Sequence, residues 1–241
     1  MGSYKRKCMW NSLKDLEIQD IMVVEIYVDD IIFGSTWQDL VNKFVENMSR
    51  EIEMSLVGEL KCFLGLQITQ TDKGIFVSQS TYARKLLSKF KLDNCKEAVT
   101  PMSTSKKLLK DEKGHDVDIT LYRGMIGSLL YLTASRHDLC FSVGFCARYQ
   151  AKPKQSHLEA VKRIIKYVKG TLDLGLWLSK GSNSRLVGYY DADYAGSMDD
   201  RKSSSGSCFF LGNNLISWLS KKQNSASLSK VESEYIVKEE E

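Results

Sequence analysis

Ile26-Tyr27-Val28-Asp29-Asp30-Ile31-Ile32-Phe33 sets two adjacent carboxylates between two apolar runs rich in β-branched residues. Met22, Val23, Val24, Ile26 and Val28 predict one buried strand, and Ile31, Ile32 and Phe33 predict the next. Asp29-Asp30 then falls at the turn of a hairpin. Asp is favoured in turns because its side chain bonds the nearby backbone. The same pair supports a second reading. Two carboxylates at the tip of a rigid hairpin offer hard oxygen ligands to Mg²⁺, with substrate phosphates and water filling the other positions. The residues of the hairpin leave both readings open.

Outward from the hairpin the pattern changes period. Residues 37, 40, 41, 44, 45 and 48 are apolar, which predicts a helix over Trp37–Glu51 with Thr36 as its cap. Gly58 to Ile68 predicts a strand, and Gly65 inside it predicts close approach of another backbone. Ile68 to Val77 predicts a second hairpin around Asp72-Lys73-Gly74. Ser78 to Phe90 predicts a capped amphipathic helix, with Tyr82, Leu86, Leu87 and Phe90 on one face and Arg84, Lys85 and Lys89 on the other.

A polar stretch from Asp93 to Val117 predicts a loop, and helices are predicted at about 119–134, 136–150 and 155–169. In the last of these, Leu158, Val161, Ile164, Ile165 and Val168 form the stripe expected to be buried. Lys162, Arg163, Lys166 and Lys169 point elsewhere, where they could neutralise successive phosphates without reading sequence. Strands are predicted at 186–193, 207–211 and 215–219, with Gly212-Asn213-Asn214 as a turn, and a helix at 227–238. Residues 1–20 carry no clear pattern.

With 43% hydrophobic and 27% charged residues over 241 positions, the composition is that of a globular chain of one large or two small domains. No apolar run approaches the roughly 18 residues of a membrane span, so no membrane partner is expected. Lys5, Arg6 and Lys7 are followed by no apolar run, which argues against a secretory signal. The six cysteines form no Cys-x-x-Cys pair and there are three histidines, so zinc is not expected. Between Thr81 and Lys169 there are 18 Lys and Arg against 8 Asp and Glu, a basic middle that suggests a polyanionic partner.

Tyr27-Val28-Asp29-Asp30 resembles the polymerase signature of reverse transcriptases, and Phe63-Leu64-Gly65 with Ile68 resembles their primer grip. Thr100-Pro101-Met102, Leu121-Tyr122-Arg123-Gly124-Met125-Ile126-Gly127-Ser128-Leu129-Leu130-Tyr131-Leu132 and His157-Leu158-Glu159-Ala160-Val161-Lys162-Arg163-Ile164 resemble the thumb and connecting region of copia-type retrotransposon polymerases. His137 stands where that family usually has Pro, a residue preorganised for a first helical turn. Asp191-Ala192-Asp193-Tyr194-Ala195-Gly196, Asp200-Arg201-Lys202-Ser203, Ser217-Trp218 and Ser220-Lys221-Lys222-Gln223 resemble the opening half of the family's ribonuclease H. The resemblance runs over roughly residues 21–238, and the chain is identified as a member of the copia-type Pol polyproteins.

The resemblance implies an α+β fold. Residues 21–77 would form a partial palm of acidic hairpin and primer-grip strands, 78–170 a helical thumb and connection, and 171–241 a truncated ribonuclease H-like sheet with one helix. It implies two-metal phosphodiester chemistry with Mg²⁺, or Mn²⁺ in its place, held by Asp29 and Asp30 and, separately, by Asp191 and Glu234. Asp193 and Glu232 receive no role. Phe63, Leu64, Gly65, Arg84, Lys85, Lys89, Lys162, Arg163, Lys166 and Lys169 would contact an RNA template, a DNA primer and their hybrid. The family's remaining carboxylates are not found in this sequence, so both metal sites are expected to be incomplete, the chain inactive alone, and other Pol segments its partners. Three readings stay open: a polymerase with ribonuclease H, a catalytically dead nucleic-acid-binding transposon remnant, and a degenerate frame without selected function.

Overall fold

Asp29 and Asp30 do lie at the tip of a hairpin, but the turn falls one residue earlier than predicted. In a computed structural model, which describes residues 21–56, 58–103 and 108–239, β1 (Met22–Tyr27) pairs antiparallel with β2 (Asp30–Ser35) through Tyr27↔Asp30. The turn is therefore Val28-Asp29, and Asp30 opens the second strand. A two-residue loop is the shortest connection that suits strand twist, and it places its first residue at positive φ. Val28 takes that place with φ 51°, a conformation that costs a β-branched residue free energy.

The chain divides into two units, Met1–Leu60 and Lys61–Glu241. The first unit corrects two expectations. Its first strand is not buried: Val23 is 65% and Ile26 62% exposed. Among the described residues of this unit, only helix α1 (Gln38–Glu51) is available to cover the hairpin, and none of its own residues is buried. The contact runs through Phe33 and Phe44, whose ring centroids lie 5.0 Å apart. Thr36 does not cap the helix, because its hydroxyl accepts the Ile21 N–H at 3.2 Å and Trp37 occupies the N-cap. The unpatterned residues 1–20 lie outside the described residues.

In the second unit the expected strand 58–68 is broken. β3 (Cys62–Phe63) turns through Leu64-Gly65 into β4 (Leu66–Thr71). Both turn residues are left-handed, at φ 48° and 78°. What comes close to Gly65 is a side chain, that of Tyr131, not a backbone. β5 (Gly74–Ser78) completes the predicted second hairpin. It then pairs on its other edge with β6 (Gly175–Ser179), from Gly74↔Ser179 to Ser78↔Gly175. The sheet order is thus β3-β4-β5-β6.

Between β5 and β6 lie the helices. α2 (Ser80–Lys89) is capped from outside: Gln67 Oε1 accepts the Ser80 hydroxyl at 2.9 Å and the Thr81 N–H at 2.8 Å. Asp118 caps α3 (Ile119–Leu132), accepting from Thr120 and Leu121 N–H. A single 3-10 turn at His137–Leu139 leads into α4 (Cys140–Ala147), shorter than the predicted 136–150. α5 (Gln155–Lys169) buries the five apolar residues its spacing predicts, with Val161, Ile164, Ile165 and Val168 at zero exposure. They pack with Tyr122, Met125, Ile126, Leu129, Leu139 and Val143 into one core.

β7 (Leu186–Asp193), β8 (Ser204–Leu211) and β9 (Asn214–Lys222) form an antiparallel meander, followed by α6 (Lys230–Glu239). One face of this sheet carries α6. Gln223 Nε2 donates to the Ser205 hydroxyl and to Ser233 O of that helix, and Ser205 pairs with buried Ala192. Successive strand side chains point to opposite faces, so Asp191 and Asp193 lie on the other side. That side meets α4 and its neighbours: Arg148 donates to the Ser204 hydroxyl at 2.6 Å, Tyr149 to Asp199 at 3.1 Å, and Trp218 Nε1 to Thr133 O at 3.1 Å.

Candidate functional site

Asp29 and Asp30 are exposed at the hairpin tip. Asp191 and Asp193 line a cleft of about 480 Å³ between the three-stranded sheet and the start of α4. His137, Cys140 and Phe141 form one wall, and Ser204, Gly206, Cys208 and Trp218 much of the floor. Burial pushes the Asp193 carboxyl above its usual range, and Asp191 adds to this. The Ser204 N–H and the Arg148 guanidinium pull the other way. Glu234 is not part of this lining. It sits exposed on α6, 3.7 Å from Lys230 one turn away. Asp191 and Asp193 share one face of β7, and Glu234 lies on α6.

Among the described residues, no group of three or more His, Cys, Asp and Glu side chains converges as a metal site. The acids come in pairs, which supply too few donors to fix two ions about 4 Å apart. The described residues do not by themselves make a two-ion centre. Glu232, left without a role by the sequence, accepts the Leu228 N–H at 2.7 Å while its own N–H donates to the Ser229 hydroxyl at 3.1 Å. It closes the N-terminus of α6.

The seven cations singled out in the sequence divide into two groups. Four are engaged within the protein. Arg163 donates to the carbonyl and hydroxyl of Thr100 at 3.1 and 2.9 Å, and Lys169 to Cys95 O at 2.7 Å. Lys89 donates to the Ser128 hydroxyl and lies over the Phe90 ring, and Arg84 stands 3.9 Å from Asp173. Lys85, Lys162 and Lys166 have no polar partner among the described residues. They project from α2 and α5, which pack against each other. Phe63 sits half-buried in β3, and Leu64-Gly65 forms the turn beside it.

Sequence reasoning gave no role to two buried polar groups. Arg136, 3% exposed, binds Asp138, the carbonyl of Thr171 and its hydroxyl. His157, fully buried, accepts the Lys154 N–H at Nδ1 and donates from Nε2 to Leu109 O at 2.7 Å, which assigns the Nε2–H tautomer. Its ring stacks on Tyr149 at 4.1 Å. The string Ser135-Arg136-His137-Asp138 holds the first signal, an Arg and an Asp two residues apart at the start of an apolar run. No helix of the described residues is long and apolar enough to cross a membrane.

A family model described as reverse transcriptase (RNA-dependent DNA polymerase) matches residues 13–104. The chain is 35% identical, over 93% of its length, to the retrovirus-related Pol polyprotein from transposon RE1 of Arabidopsis thaliana, and covers 16% of that protein. It is 33% identical over 98% of its length to the Pol polyprotein from transposon TNT 1-94 of Nicotiana tabacum, covering 18% of it. An uncharacterized mitochondrial protein of Arabidopsis thaliana is 33% identical over 89% of both chains. No solved structure matches.

Proposed function

The chain belongs to the reverse-transcriptase family of copia-type retrotransposon Pol polyproteins, and from that membership we propose that it is a segment of an RNA-directed DNA polymerase with ribonuclease H. It binds template–primer nucleic acid and is inactive as an isolated chain. In this reading residues 21–77 are a partial palm, 78–170 the thumb and connection, and 171–241 the start of a ribonuclease H-like domain. The observation that carries it is the placement of Asp29 and Asp30 at the tip of a two-residue hairpin, inside the stretch the family model matches. Asp29 and Asp30, and separately Asp191, are carboxylates that other Pol segments would complete into Mg²⁺ or Mn²⁺ sites. Bound ions would supply charge stabilisation at the phosphate. The chain's own acids contribute oxygen donors.

Primer extension with Mg²⁺ on a primed RNA template, using this chain and an Asp29→Asn variant, tests the reading. No incorporation by either is expected. Incorporation that Asp29→Asn abolishes would overturn the inactivity. Hybrid-strand cleavage lost in Asp191→Asn would do the same for the nuclease part. The second reading, a nucleic-acid-binding remnant, is favoured by Lys85, Lys162 and Lys166, which carry charge on neighbouring helices without an internal partner. It predicts salt-dependent binding to a hybrid duplex. No binding at low salt would remove both readings.

A further inference from the structure

The Leu64-Gly65 turn is held from outside by one side chain. The Tyr131 hydroxyl, on α3, donates to Leu64 O. Gly65 is required twice over: its φ of 78° suits glycine, and a Cβ there would overlap that same hydroxyl. Tyr131 is itself fixed. Its ring meets Tyr82 edge-on at 4.6 Å, and the Tyr82 hydroxyl donates to Ser128 O at 3.1 Å. Its carbonyl accepts Gln79 Nε2 at 3.2 Å, and the buried Gln79 accepts the Ser135 hydroxyl at 2.8 Å. A buried polar pair is thus linked, through one tyrosine, to a turn whose Leu64 stays 42% exposed. Tyr131 is 41% exposed, so its hydroxyl could be hydrated by water without reaching the turn. The bond serves the turn rather than the core.

We infer that Tyr131 is a positioning residue, which holds the Leu64-Gly65 turn preformed to receive the end of a nucleic-acid strand. The inference rests on the partial-palm reading proposed above, in which Phe63-Leu64-Gly65 is the stretch that resembles a primer grip. Fluorescence anisotropy would compare the full chain's affinity for an RNA–DNA hybrid with a recessed 3′ end and for a blunt hybrid of equal length. The proteins compared are the unsubstituted chain, Tyr131→Phe, Gly65→Ala and the double variant. The unsubstituted chain favours the recessed end. Tyr131→Phe, which keeps the ring packing, loses roughly three- to tenfold of that preference, the scale of one hydrogen bond, with blunt-end affinity and melting temperature unchanged. Gly65→Ala displaces the same hydroxyl, so the double variant is no worse than the worse single one. Full preference retained by Tyr131→Phe, or equal loss on both hybrids, overturns the role of Tyr131. An unsubstituted chain that binds both hybrids equally removes the turn's assignment and this inference with it.

Discussion

Arg136 grips both carboxylate oxygens of Asp138, Nε to Oδ1 at 2.9 Å and Nη2 to Oδ2 at 2.8 Å, two residues along the chain. The guanidinium is 3% and the carboxylate 24% exposed, and Tyr167 donates to the same carboxylate. Breaking a buried pair leaves the partner charge uncompensated. Asp138→Asn should cost about 3 kcal/mol, read as a melting temperature lower by roughly 6–12 °C.

The same pair sets an acid limb. Burial alone would raise the Asp138 carboxyl, but the bonds and charge of Arg136, with Tyr167, prevail and hold it below its usual range. A carboxyl depressed on folding adds stability above its unfolded value of about 3.9, and that stability is lost as pH falls through the folded value. The gap in urea midpoint between Asp138→Asn and the unsubstituted chain should therefore be full at pH 7 and close below about pH 4.

Asp193 runs with the opposite sign. Burial raises its carboxyl despite Ser204 and Arg148. A carboxyl raised on folding favours the folded state at low pH and opposes it as pH climbs through the folded value. Asp193→Asn keeps an acceptor for the Ser204 N–H. Its urea midpoint should lie above that of the unsubstituted chain at pH 7 and converge with it at acid pH. A variant weaker at pH 7 than at pH 4, relative to the parent, contradicts this.

The division among the cations is measurable. Replacing Lys85, Lys162 or Lys166 by Ala should leave the melting temperature in place and weaken hybrid binding. Each phosphate that is no longer neutralised should reduce the salt slope by roughly 0.9. Arg163→Ala and Lys169→Ala should act on stability instead, because they release the Thr100 and Cys95 carbonyls. Equal salt slopes for both sets would show that the internal bonds do not decide which cations meet phosphate.

Thiol reactivity should follow burial. Cys146 is fully buried, and its thiol is pushed up to about 12, whereas Cys62 is exposed beside the turn. Iodoacetamide followed by peptide mass mapping should label Cys62 in the native chain and Cys146 only after denaturation.

How far the sequence is legible depends on whether the deciding partner lies nearby. α5 is legible because five apolar residues at helical spacing can bury themselves in only one orientation. The meander and its helix are legible from alternation and the Gly212-Asn213 turn. The cap on α2 is not, since Gln67 comes from another strand. The turn at Leu64-Gly65 is hidden inside a run whose apolar residues suit a strand equally well. Helical periodicity places Arg163 and Lys169 outside the core, but the path of loop 95–100 decides that its carbonyls meet them. The exposure of β1 is illegible for a similar reason. An apolar strand states that it can be covered, and the described residues of its unit offer one helix for two faces.

The pairing of β5 with β6 bears on how the molecule can be made. Ser78 meets Gly175 only after the ribosome has emitted the whole helical region between them. Until then β5 offers a bare edge, and bare edges recruit neighbouring chains. A frameshift or stop falling anywhere in those helices would leave that edge permanently open. Copies broken there should precipitate or be degraded, while copies broken beyond Ser179 keep all four strands, with both edges of β5 paired.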